Sequence, residues 1–150
     1  MKLISICILG CGFGLAAIAA ETKMKVDDLP AAVQSAMKTQ TKGATILGAS
    51  KERENGRMTY EVETKQDGKG RDLTFAEDGS LLEIEQEVDL ESIPAAARQA
   101  IEGKAAGGTI KKVESVTQGS KTSYEADVRT SGGKTHEVAV NADGSPHKED

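Results

Sequence analysis

Asp28-Leu29-Pro30-Ala31-Ala32-Val33-Gln34-Ser35-Ala36-Met37 returns 64 residues later as Ser92-Ile93-Pro94-Ala95-Ala96-Ala97-Arg98-Gln99-Ala100-Ile101. A self-similar period of this length points to a repeated structural unit. In each copy a capping-type residue, Asp28 or Ser92, stands two positions before a proline. Proline fits a first helical turn, where backbone N–H groups lack internal partners. Leu29, Val33, Ala36 and Met37 recur at helical spacing, matched by Ile93, Ala97, Ala100 and Ile101. Each copy therefore opens with a short amphipathic helix, expected over residues 29–42 and 93–106. Gly43 and Gly107-Gly108 stand where left-handed C-terminal caps would sit.

Outward from the first helix, three turn signals follow in close succession. They are Asn55-Gly56, Asp67-Gly68 and Asp78-Gly79-Ser80. They divide the chain into four expected strands, 45–53, 57–65, 71–76 and 81–88. Alternation is clearest in the second, where Met58, Tyr60 and Val62 oppose Thr59, Glu61 and Glu63. Leu73 and Phe75 continue the apolar face, and Leu82, Ile84 and Val88 are read as its next members. Before the helix, residues 21–26 read as a loosely held polar leader.

The second copy repeats the plan. Its first strand, 109–117, has less regular alternation (Ile110, Val113 and Val116 read as inward), which suggests a bulge. Gly119-Ser120, Ser131-Gly132-Gly133 and Asp143-Gly144-Ser145 are its turns. Tyr124, Ala126 and Val128, then His136, Val138 and Val140, supply its inward faces. After the last turn Pro146-His147-Lys148-Glu149-Asp150 replaces the apolar fourth strand, so that strand is expected to be missing or frayed. The reading is an α+β fold of two tandem helix-plus-antiparallel-meander units, αββββ then αβββ, with both helices on one face of the sheet. The first unit covers 20–88 and the second 89–150. Each half is too small to bury much surface alone, so a shared core or continuous sheet is expected.

A helix opening Leu/Ile-Pro-Ala-Ala, a strand with Tyr-Glu and an Asp-Gly-Ser turn together resemble the PepSY family. They are most similar to its PepSY-like branch, grouped with β-lactamase-inhibitor-like proteins. The resemblance runs over nearly all of the chain after residue 19. It implies an envelope or secreted protein that binds other proteins, of the kind discussed as peptidase or lactamase inhibitors.

Residues 1–19 read as a secretory signal: Lys2, an apolar run from Leu3 to Ile18, and Ala17-Ile18-Ala19 as a small-x-small cleavage site after Ala19. The alternatives are a retained N-terminal anchor and, from Ile8-Leu9-Gly10-Cys11, lipidation at Cys11. Cleavage would remove Cys7 and Cys11, the only cysteines, and leave 18 basic against 24 acidic residues. The whole chain carries a formal net charge of −5, which gives no electrostatic case for nucleic acid. No run after the leader is apolar enough to span a membrane. The expected location is the periplasm or the medium, as a monomer, with no cofactor.

No catalytic cluster emerges. Gly132-Gly133-Lys134-Thr135 imitates a phosphate loop, but the earlier glycine is replaced by Val128 and the context is a hairpin. Asn141-Ala142-Asp143-Gly144 imitates a calcium loop, with Ala139 at its first ligand position. His136 and His147 lack the companion ligands of a zinc site. Ser131, His136 and Asp143 form a triad only on paper. Tyr60 and Tyr124 hold equivalent places and read as core rings under the helices.

The candidate site is the opposite sheet face. Glu61, Glu63, Asp72, Glu83 and Glu85 fall there in the first unit, with Thr59 and Glu87, and Glu125 and Asp127 in the second, with Glu137. Two readings stand. One is a recognition surface for a protein target in the cell envelope, with acidic residues steering association. The other is a solvated face, or one that binds calcium or a small ligand. The expected function is a non-enzymatic protein-binding module that inhibits or modulates an envelope enzyme such as a peptidase.

Overall fold

A computed structural model describes residues 21–54 and 56–148. The signal segment, its cleavage after Ala19, the Cys11 alternative and Asn55 of the first hairpin turn lie outside the described residues. In chain order the elements are β1 (Thr22–Met24), α1 (Ala31–Gln40), β2 (Thr45–Glu54), β3 (Arg57–Gln66), β4 (Lys69–Ala76), β5 (Leu81–Glu87), α2 (Ala95–Ala105), β6 (Thr109–Gln118), β7 (Lys121–Arg129) and β8 (Thr135–Asn141). The eight strands form one sheet in the order of the chain, every neighbouring pair antiparallel. Both helices are insertions into this meander, α1 between β1 and β2, α2 between β5 and β6.

Both helices begin one residue after the repeated proline. Pro30 and Pro94 hold the N-cap positions with extended backbone, and neither helix has a side-chain cap. Asp28 and Ser92 are therefore not caps. Each ends a single 3-10 turn, Val26–Asp28 or Leu90–Ser92, and the Ser92 hydroxyl donates backward to the Asp89 carbonyl at 2.7 Å. At the far end of α2, Ala106 itself takes the left-handed cap conformation (φ 48°).

The register places both helices on the same side of the sheet. Residues directly opposite each other on neighbouring strands share a face. Leu73 pairs with Ile84, Ile84 with Thr117, and two residues along β6 Ser115 pairs with Tyr124. That face carries two apolar clusters. The first joins Leu29, Val33 and Met37 to Ala49, Tyr60, Val62, Leu73 and Phe75. The second joins Ile93, Ala97, Ile101 and Ala105 to Val113, Ala126, Val128, Val138 and Val140. Val33, Val62, Leu73, Phe75, Ile101, Val128 and Val140 are fully buried, so the hydrophobic driving force is split between two centres under one helix each.

Four expectations need correction. The leader is not loose: Thr22–Met24 adds β1 to the edge of β2, and Met24 packs on the first cluster. Leu82 is exposed rather than inward, because a register shift lets Phe75 pair with Leu81 while Thr74 pairs with Glu83. Leu81 takes the place under the helix. Val116 faces away from the helices: the bulge between Ile110 and Lys112 reverses the expected parity beyond it. A matching bulge lies between Ile46 and Gly48 in β2. His136 pairs with Val128, but its side chain is exposed. After β8, at the place of the strand expected to be missing or frayed, the chain makes one isolated bridge, Val140 to Pro146.

The Asp-Gly-Ser turns lock each meander to its helix. Asp78 and Asp143 each accept the backbone N–H of the serine two residues on, at 2.9 Å. Gly79 (φ +84°) and Gly144 (φ +83°) lie so close to the helices that an added Cβ would stand 2.7 Å from the carbonyl oxygens of Ala32 and Ala96. Only glycine meets both demands, the positive φ and the close approach.

Candidate functional site

The sheet face away from the helices carries its polar residues in cross-strand rows. Ser50, Glu61, Thr74 and Glu83 form one. Gly48, Glu63, Asp72, Glu85, Val116, Ser123 and Asn141 form the next, across seven strands. Glu87, Glu114, Glu125 and Ala139 follow, and Lys112, Asp127 and Glu137 close the set. All seven predicted residues, Glu61, Glu63, Asp72, Glu83, Glu85, Glu125 and Asp127, therefore share one surface. The pairing of β5 with β6 joins the carboxylates of the first half to those of the second.

Two residues that matter here were not singled out by the sequence reading. Glu114 is only 8% exposed and lies directly opposite Glu125, which is 8% exposed as well. Lys112, opposite Asp127, reaches Glu114 with Nζ 2.8 Å from Oε2. The signal was present: once the bulge is placed at Lys111, alternation puts Lys112, Glu114 and Val116 on this face. Val116 and Ser123, both buried, supply a small floor between the carboxylates.

Such crowding sets the protonation of the face. Like charges on directly opposed strand positions repel, and burial removes the water that would screen them. Burial pushes Glu85 up to about 9, reinforced by Glu114, Glu83, Glu125 and Glu61. Burial, with Asp72, Glu21, Glu63 and Glu83, raises Glu61 to about 7. Asp72 rises to about 6, again chiefly by burial; the Thr64 backbone N–H that it accepts at 3.2 Å opposes the rise. For Lys112 burial alone would lower the pKa, but the Glu114 hydrogen bond and charge, with Asp127 and Glu85, hold the ammonium above its ordinary range. The rim carboxylates have neutral donors instead: Glu87 accepts the Gly70 N–H at 3.0 Å, and Glu83 the side-chain amide of Gln118.

The other candidates separate. Ser131 lies in the turn before β8, while Asp143 lies beyond its far end and is bonded to Ser145, so the paper triad does not assemble. Gly133 (φ +82°) closes a hairpin turn, its N–H donating to the Thr130 carbonyl. His147 places Nδ1 2.9 Å from Asn141 Oδ1. Among the described residues no three His, Cys, Asp or Glu side chains converge as metal ligands. Two shallow hollows, about 430 Å³ beside Lys111 and Arg129 and about 560 Å³ beside Arg57 and Asp78, are lined by none of the face carboxylates. Tyr60 is a core ring at 7% exposure, and Tyr124 packs half-buried on the second cluster. No helix among the described residues is long and apolar enough to cross a membrane.

A family model described as beta-lactamase-inhibitor-like, PepSY-like matches the chain twice, over residues 18–83 and 60–145. No curated protein matches it. Solved structures share the fold. One is from Bacteroides eggerthii and described as periplasmic, with TM-score 0.67, 17% identity, and coverage of 80% of this chain and 86% of its own. A DUF2874 family protein from Bacteroides ovatus superposes with TM-score 0.64 at 18% identity, covering 81% and 86%. A BLIP-like protein from Bacteroides fragilis gives 0.57 at 21% identity, covering 79% and 83%.

Proposed function

Because this chain belongs to the PepSY-like, beta-lactamase-inhibitor-like family, we propose that it is a non-enzymatic protein-binding module of the cell envelope. Its open sheet face docks a basic surface on an envelope protein, with the effect of an inhibitor or modulator. The observation that carries this reading is the run of carboxylates across strands β3 to β8, relieved within the array by Lys112 and at its margins by Lys65, Lys121 and Arg129. Such a field steers association and disfavours acidic partners. The helix exteriors, with Gln34, Lys38, Gln40, Arg98, Gln99 and Glu102, offer mixed charge and no anchor. We read the chain as two units on one sheet, 20–88 and 89–150, working as an exported monomer in the periplasm or the medium. The two family matches and the paired bulges, turns and glycines support the two-unit reading.

Association kinetics test the surface. The triple variant Glu61→Lys, Glu63→Lys, Glu85→Lys should slow association with a partner captured from envelope extract by about tenfold or more at low salt. Reversal of Lys38, Arg98 and Glu102 should leave the rate within about twofold. The wild-type rate should fall as salt rises, since screening sets in over about 8 Å at physiological ionic strength. If helix-face reversal abolishes binding and sheet-face reversal does not, the partner sits on the helices.

A further inference from the structure

The open face also has a geometry that ties its charge to proton occupancy. Glu85 is the hub. From β4 it faces Asp72, its cross-strand partner, with Glu61 and Glu63 of β3 beyond. Along its own strand it faces Glu83 and Glu87. From β6 it faces Glu114, whose carboxylate holds Lys112, and from β7 Glu125, with Asp127 a row further on opposite Lys112; Lys65, Lys121 and Arg129 stand at the margins of the same face. Cross-strand neighbours on one face stand about 5 Å apart at Cβ. Lys112 is held by Glu114, and Glu114 and Glu125 are nine-tenths buried. These eight carboxyl groups and Glu85 have Lys112 among them, with Lys65, Lys121 and Arg129 only at the margins of the face, and cannot all ionise without strong repulsion, so protons must stay bound among them.

We propose that this array stores protons at neutral pH in the free protein and releases them when a cationic surface docks, which makes docking pH-dependent. The storage follows from the fold alone, and the release rests on the docking role proposed above. The sign is fixed by the raised pKa values, that is, by the weakened acidity of these carboxyl groups. The folded chain binds more protons than the unfolded chain above the ordinary carboxylate range, so folding stability is greatest in mild acid. It falls as pH rises through about 6 and 7 towards 9. A docked cation favours the ionised form, so docking strengthens over the same interval, by up to tenfold per pH unit for each proton released.

Two measurements separate the parts. In thermal melts of the free protein, the wild-type Tm should drop by about 5 °C or more between pH 5.5 and 8.5. Glu85→Gln, which keeps shape but cannot ionise, should lose at least half of that drop. Asp72→Asn, which keeps the oxygen that Thr64 N–H bonds, should lose a smaller share. Parallel Tm profiles for folded wild type and both variants would overturn the storage. Calorimetry with decalysine, in two buffers of different ionisation enthalpy at pH 7, should detect about half a proton or more released per complex. Binding without proton release overturns the gating and leaves the docking role standing. No binding at any pH, with distinct Tm profiles, overturns the docking role and the release but leaves the storage intact.

Discussion

The two helix-covered parts of the sheet are built from different materials. Under α1 the sheet contributes Tyr60, Val62, Leu73 and Phe75; under α2 the corresponding places hold Tyr124, Ala126, Val138 and Val140. At these places the sheet brings less side-chain volume to the second cluster than to the first. On the opposite face the change runs the other way: Gly48 and Ser50 of β2 correspond to Lys112 and Glu114 of β6. The reason is position. β2 has only the three-residue β1 on its outer side, whereas β6 lies between two long strands, where a carboxylate is enclosed and needs a cation. The first half has the bulkier core and most of the face carboxylates, and the second adds the enclosed Glu114 and Glu125 with their cation Lys112.

The sharpest way to break this contrast is to truncate equivalent core residues. Phe75→Ala should cost about 4 kcal/mol and Val140→Ala about 2, read by chemical denaturation. Equal losses would mean that both clusters contribute alike. Tyr60→Ala should cost about 3 kcal/mol, and Tyr124→Ala about half of that, because its ring keeps contact with water. The turn glycines should behave as a matched pair instead. Gly79→Ala and Gly144→Ala should each lose about 2 kcal/mol through left-handed strain and the carbonyl contact; a harmless change at Gly144 would show the second turn to be slack. The smallest effects compare two ion pairs, one half-buried and one exposed. Lys112→Met strands Glu114 and should cost about 1 kcal/mol at pH 8. Lys69→Met removes an exposed 2.7 Å bridge to Asp89 and should stay within about 0.5.

Local chemistry made most of this architecture legible. Proline-led helices, Asp-Gly-Ser turns and the alternation around Tyr60 placed α1, α2 and β2 to β6 within two residues at each end, and the turns at Gly119-Ser120, Ser131-Gly132-Gly133 and Asp143-Gly144-Ser145 bracketed β7 and β8. What sequence did not reveal depended on partners distant in the chain. β1 has no periodicity of its own in three residues and exists because Ala49–Lys51 offers it an edge. Leu81 and Leu82 are equivalent until the register against Phe75 separates them. The acidic face was visible as a set of strand positions, but not the burial of Glu114 and Glu125, which requires β6 to be flanked on both sides.

The bridge between Val140 and Pro146 has a consequence for colloidal behaviour. A meander that adds strands in chain order has no inherent stopping point, and an outermost strand invites further pairing with any extended chain it meets. Proline directly beside β8 interrupts that invitation, because it has no backbone N–H to give and resists a regular ladder. At the other end, β1 is too short to template much. Each margin is thus guarded in part, β2 over Ala49–Lys51 by β1 and the end of β8 by the bridge at Pro146, while the broad central surface stays open.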